Sequence, residues 1–170
     1  MRQAEGREIP AFAGMTVGAR MRYFLDTEFN GFGGDLLSLA LVPEHGDQDY
    51  YVVIPNAGPY HPWVEKHVVP YLDMVPRNLL NRLDRVAAAH DVAAYLGNDP
   101  DVTIVADWPE DIALFCRLLL VGETEIVDVR HMRFEFHRTP GFSTARNSQV
   151  PHNALHDARA LRDHLLSLED

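Results

Sequence analysis

The sequence predicts an α/β domain, a mixed five-stranded sheet flanked by helices. Three observations lead there. Three strand-like runs, 22–29, 36–42 and 50–54, follow one another across short polar or glycine-rich turns. After them, helical apolar spacing alternates with two short apolar runs, 102–106 and 126–129. The 170 residues also suit one domain, which at this size buries roughly two thirds of the surface its unfolded chain exposes and needs no staple.

Residues 22–29 form the first expected strand, which ends in acidic residues, and 30–34 carry three glycines, a turn. Residues 36–42 and the β-branched, aromatic run 50–54 complete an antiparallel meander. Residues 61–71 hold a short helix. From 77 to 96, Leu79, Leu80, Leu83, Val86, Ala87 and Val92 are spaced for one helical face, with Gly97 as the C-cap. Residues 102–106 are the fourth strand. Residues 109–121 are a helix with proline in its first turn and Glu110 and Asp111 at the positive end of its dipole. Residues 126–129 are the expected fifth strand and 131–150 an irregular, mobile flap. Residues 153–168 close the chain as a helix with Leu155, Ala158, Leu161, Leu165 and Leu168 on its apolar side.

The first twenty residues read differently, rich in Gly, Ala and Arg and without sustained periodicity. Met21 reads as the true start and 1–20 as a mis-assigned or disordered extension; a short targeting arm is the alternative. The domain proper is 21–170. No apolar run approaches a membrane span. The single cysteine, Cys116, excludes an internal disulfide and reads as a buried, inert thiol in a reducing cytoplasm.

The formal net charge of −10 argues against a protein that coats nucleic acid. It does not exclude an enzyme that grips a few terminal nucleotides, because metal-binding carboxylates themselves add negative charge. Positive charge is uneven: Arg130, Arg133, Arg138 and Arg146 face only Glu135 between 130 and 146, a solvated loop or a phosphate contact.

Two-metal phosphoryl chemistry needs about four carboxylates around a pair of ions and a base for the attacking water. Asp26 and Glu28, two apart on a strand, point to one side. A D-x-E triplet is expected about once by chance in such a chain, so its position at the end of an apolar strand carries the weight. His152 and Asp157 form H-x-A-x-x-D at a helix start, with small Ala154 and Ala158 allowing close packing on a sheet. His152 and His156 are also four apart, as in helical zinc sites, but Asn153 stands where those proteases carry their glutamate. Asp107 and Asp111 frame the entry to the helix after the fourth strand, and helix capping is the plainer role for one of them.

In this order, Asp26-x-Glu28, an aspartate after the fourth strand, and His152-x-Ala-x-x-Asp157 resemble the DEDDh 3′→5′ exonucleases, the RNase T and DnaQ-like group of the RNase H-like superfamily. The resemblance covers residues 22–168. It is strongest to a compact bacterial branch of exoribonucleases that also begin Tyr-Phe-x-Asp-Thr-Glu-Phe. It implies an RNase H-like sheet and two Mg²⁺ or Mn²⁺ ions held by Asp26, Glu28, Asp111 and Asp157, with His152 as general base. It further implies that Thr27 and Phe29 line the terminal-nucleotide pocket, with Phe32 a weaker addition. The middle motif departs from the family: Glu110-Asp111 replaces Phe-Asp, and Asp107 competes with Asp111 as the ligand. The implied substrate is the 3′ end of single-stranded RNA, and members often form homodimers. A DNA exonuclease, an RNase H-like endonuclease and a non-catalytic nucleic-acid-binding module are the alternatives.

Overall fold

The computed structural model describes residues 21–45, 48–97 and 99–169. The reading of residues 1–20 as an extension lies outside the described residues. The fold is α/β, as predicted: one five-stranded mixed sheet in the order β3-β2-β1-β4-β5, with helices on both faces. β1 (Met21–Phe29), β2 (Leu36–Pro43) and β3 (Tyr50–Val53) form the antiparallel meander. β4 (Val102–Ala106) and β5 (Met132–Phe136) run parallel to β1. The sheet has two cores. Tyr23 and Leu25 pack with α2 (Arg85–Leu96) and α3 (Pro109–Leu118) on one face; Phe24, Val42 and Tyr51 pack with α1 (Pro62–His67) and α5 (Ala154–Ser167) on the other. Alternation along β1 therefore places Asp26 and Glu28 on the α5 side and Thr27 on the α3 side.

Three boundaries differ from the sequence reading. The fifth strand is Met132–Phe136, not 126–129. Ile126 makes only an isolated antiparallel bridge to Leu120, with Val127 N–H donating to Leu119 O, which seals the exit of α3. The expected irregular flap thus contains the edge strand, followed by a short helix, α4 (Thr144–Asn147). The helix after Pro76 begins only at Arg85, because Asp84 caps it, its carboxylate accepting from Val86 N and Ala87 N. The stretch before it runs along the β3 edge: Val53 N donates to Asn81 O and Leu83 N to Val53 O. Leu79 and Leu80 pack on the α5-side core, so their spacing reflects that contact and not a helical face. Gly97 does cap α2, in a right-handed conformation. Cys116 is exposed, not buried: the inward stripe of α3 is Asp111, Leu114, Phe115 and Leu118, and position 116 falls off it. No helix among the described residues is long and apolar enough to cross a membrane.

Candidate metal centre

The C-terminal ends of β1 and β4 meet the starts of α3 and α5 at a cavity of about 230 Å³. Asp26, Thr27, Glu28, Phe29, Asp107, Trp108, Asp111, Thr144, His152 and Asp157 line it. The nominated Asp26, Thr27, Glu28, Phe29, Asp111, His152 and Asp157 are all there, and so is the competing Asp107; Phe32, the weaker addition, is not. The tightest group is Glu28, His152 and Asp157, each offering one ligand atom, all within 4.8 Å of one another.

Each side chain is held by a local device. Asn153, fully buried, caps α5: its Oδ1 accepts from Leu155 N and His156 N at 3.2 and 3.4 Å, and its Nδ2 donates to Tyr71 O at 2.7 Å. That cap fixes the first turn and with it Asp157. The residue before the cap, His152, adopts φ of +63°, a left-handed conformation that costs a non-glycine residue of order 1 kcal/mol and calls for a functional reason. It lets His152 N–H donate to Asp157 Oδ2 at 3.2 Å while the imidazole stands edge-on to Trp63, with ring centroids 5.1 Å apart. His152 thus precedes α5, and His156, one turn inside, sets Nε2 against Met74 O at 2.9 Å. The two histidines do not converge, which removes the helical zinc reading.

Thr27, on the opposite face of β1, donates from Oγ1 to Asp111 Oδ1 at 2.6 Å and draws that buried carboxylate over the strand edge. Asp107 lines the same cavity and accepts from Thr139 Oγ1 at 3.1 Å.

Among the described residues that line the cavity, the acids have no guanidinium or ammonium between them. Burial pushes Asp26 and Glu28 well above the carboxylate range; Asp111, Asp157, Glu28 and Asp107 push Asp26 further, and Asp157 and Asp111 do the same to Glu28. Burial takes Asp111 up to about 7, against the Thr27 hydrogen bond, and Asp157 up to about 6. Asp107 is raised by burial and eased by Thr139. Asp157 Oδ1 is buried without a hydrogen-bond partner. Ser148 is near enough to ease the Asp157 carboxyl, yet Ser148 Oγ completes no hydrogen bond either. Buried acceptors and like charges in this state are costly. A divalent cation would relieve both, and the oxygen-rich donor set suits a hard ion.

A second cavity, of about 690 Å³, adjoins the first and shares Glu28, Phe29 and His152 with it. Its walls are largely aromatic and apolar: Phe32, His61, Trp63, Val64 and Val68. The turn that carries Phe32 is tied down from two sides. Asn30 Oδ1 accepts from His61 N at 2.7 Å, and Glu110 Oε1 accepts from Gly33 N at 3.0 Å. Gly31 and Gly33 take φ of +79° and +72°, which the tight turn requires.

Sequence reasoning missed four contributors. Trp63 left a visible trace, an aromatic in the first turn of a short helix. Asn153 was weighed only as an absent glutamate, although Asn before an apolar helix is a cap signal. Trp108 and Thr144 left none, since a contact made at a helix start depends on where the fold brings that helix. No protein-family model matches the chain, and no curated protein matches it.

Proposed function

We propose that this protein is a metal-dependent 3′→5′ exonuclease that hydrolyses the ends of single-stranded RNA. One observation carries the reading: carboxylates from β1, α3 and α5 meet His152 in one cavity, with Asp157 Oδ1 left as a buried acceptor lacking a donor. Asp26, Glu28, Asp111 and Asp157 would hold two Mg²⁺ or Mn²⁺ ions, and the chemistry these would supply is a lowered pKa for a water and neutralisation of charge on the phosphate. Burial, with His67 adding to it, holds the His152 imidazole below its ordinary value, so it is neutral at pH 7. One ring nitrogen can then accept the proton of the attacking water. Thr27 keeps Asp111 aimed. The aromatic cavity beside Glu28 and His152 receives the terminal base by stacking, with Phe29 at the boundary of both cavities. The 3′ end of RNA as substrate, a second copy of the chain as dimer partner and the cytoplasm as location belong to the same reading.

The closeness of His152 to Glu28 and Asp157 supports a second reading, in which the imidazole is itself a ligand and the site takes a borderline ion such as Zn²⁺. Metal dependence separates the two, since only the general-base reading is fully active with Mg²⁺ alone. The test is a time course on end-labelled RNA and DNA strands with Mg²⁺, Mn²⁺ or EDTA. The expected result is stepwise shortening from the 3′ end of RNA that EDTA and His152→Ala abolish. Internal cuts on a strand blocked by a 3′-phosphate would point to an endonuclease, faster loss of DNA to a DNA exonuclease, and binding without cleavage to a non-catalytic module.

A further inference from the structure

We infer that Arg138 and Arg146 grip the backbone phosphates of the strand upstream of the scissile bond, so that the enzyme reads the strand's charge beyond its terminal nucleotide. The inference rests on the exonuclease reading. The two cavities set the direction. They share Glu28, Phe29 and His152; beyond that boundary one continues to Phe32 and Trp63, the other to Asp107, Trp108 and Thr144. A terminal base held among the aromatics places the scissile phosphate over the carboxylates. The remaining strand must then leave past Asp107 and Thr144.

Arg138 and Arg146 flank that exit. Arg138 adjoins Thr139, whose hydroxyl bonds Asp107 on the cavity rim. Arg146 sits on the short helix α4, which opens with the cavity residue Thr144. Both are exposed, and among the described residues neither is paired with a carboxylate. Most other arginines among the described residues are engaged: Arg22, Arg82, Arg133, Arg159 and Arg162 with acids, Arg85 with the Arg117 and Leu120 carbonyls. Arg77, Arg117 and Arg130 are also without a carboxylate partner among the described residues, but none of them stands close in sequence to a residue that lines or bonds to the acidic cavity, as Arg138 and Arg146 do. Guanidinium is suited to phosphate by its fork of donors. Half-exposed Trp108, which lines the same cavity, offers a face for the penultimate base.

The experiment compares kcat and KM of wild type and Arg138→Ala/Arg146→Ala at several salt concentrations. The substrates are a dinucleotide and a 5′-labelled single strand several nucleotides longer, both of RNA, with Mn²⁺. The expected result on the longer strand is a KM raised roughly tenfold at low salt with kcat changed less than about twofold. The slope of log KM against log salt should be shallower by about 1.4, some 0.7 for each lost phosphate contact. On the dinucleotide, which ends before the arginines, the two proteins should share one salt slope. Arg133→Ala, at the other end of β5, should keep the wild-type slope on both. An unchanged slope and KM in the double variant, with wild type active, overturns the inference and leaves the exonuclease reading standing. So does a loss confined to kcat. A wild type inert on every strand, RNA or DNA, overturns the exonuclease reading and this inference with it.

Discussion

The two ends of the sheet handle acidic side chains in opposite ways. At the start of β1, Arg22 lies between Glu44 and Glu169 and holds both carboxyls below the usual range, while Arg133 pairs with Asp101 beside β4. At the other end of the same strands, Asp26, Glu28, Asp107, Asp111 and Asp157 share one cavity with no guanidinium or ammonium among its described walls; burial pushes all five upward, and repulsion between acids adds to it for Asp26, Glu28, Asp111 and Asp157. One β-strand thus carries matched charge at its start and unmatched charge at its finish. The contrast teaches that the second arrangement is not a deficit of arginine in the chain. On the proposed reading, the balancing positive charge comes from a bound divalent cation.

The sharpest way to break the contrast is to remove acids at the unmatched end. On the proposed two-metal reading, Asp157→Asn should lower single-turnover cleavage about 10³-fold or more, because it would delete a ligand at the tightest point of the site. The companion change Asp26→Asn should do the same and yet raise the melting temperature of the metal-free protein, since an amide relieves the repulsion; a fall in that temperature would contradict the account. Next in size, His152→Ala should cost about 10² to 10³ in kcat with little change in KM, the usual worth of a positioned base, while Mn²⁺ still stabilises the protein against heat. Thr27→Val should cost about tenfold in kcat by freeing Asp111, a neutral-to-charged hydrogen bond being worth roughly 1.5 kcal/mol.

Stability against pH sharpens the comparison further. Unfolded carboxyls titrate near 4; in the fold Asp111 titrates near 7 and Asp157 near 6, with Asp26 and Glu28 also raised. Between about pH 4 and 7 the native state therefore binds more protons than the unfolded chain, and stability falls as pH rises through that window. His152, held low, acts in the opposite sense and only near its own value. Thermal unfolding in EDTA should give a lower melting temperature at pH 8 than at pH 5, by a few degrees or more. Mn²⁺ should restore more of it at pH 8. The smallest effect belongs to the matched end: Arg22→Ala should cost at most about 1 kcal/mol of stability, as partly exposed ion pairs do, and leave cleavage rates alone.

Much of the site was legible because it depends on short-range geometry. Asp26 and Glu28 share a face through the two-residue period of any strand, and the spacing of His152 and Asp157 fits a helix start. The strand-to-helix junction that carries Asp107 and Asp111 is announced by an apolar run followed by Pro109. What escaped depends on pairing across the chain. Residues 126–129 are as β-branched as a strand should be, yet the edge position went to Met132–Phe136. That run alternates Met132, Phe134 and Phe136 with Arg133 and Glu135, a period-two signal hidden by its charge. Leu79 and Leu80 mimicked a helical face because the core they touch lies across the β3 edge. The position of Asp107 against Asp111 was undecided by spacing, and the fold brings both to the same rim.

Manganese diffraction tests the central claim most directly, because an ion at the unmatched acids can be located by its own anomalous signal. A crystal grown with Mn²⁺ should show anomalous peaks bonded to Asp26, Glu28 and Asp157, with Asp157 Oδ1 as a ligand. Carboxylates turned away from one another around an empty cavity, at Mn²⁺ concentrations that saturate other nucleases, would contradict it.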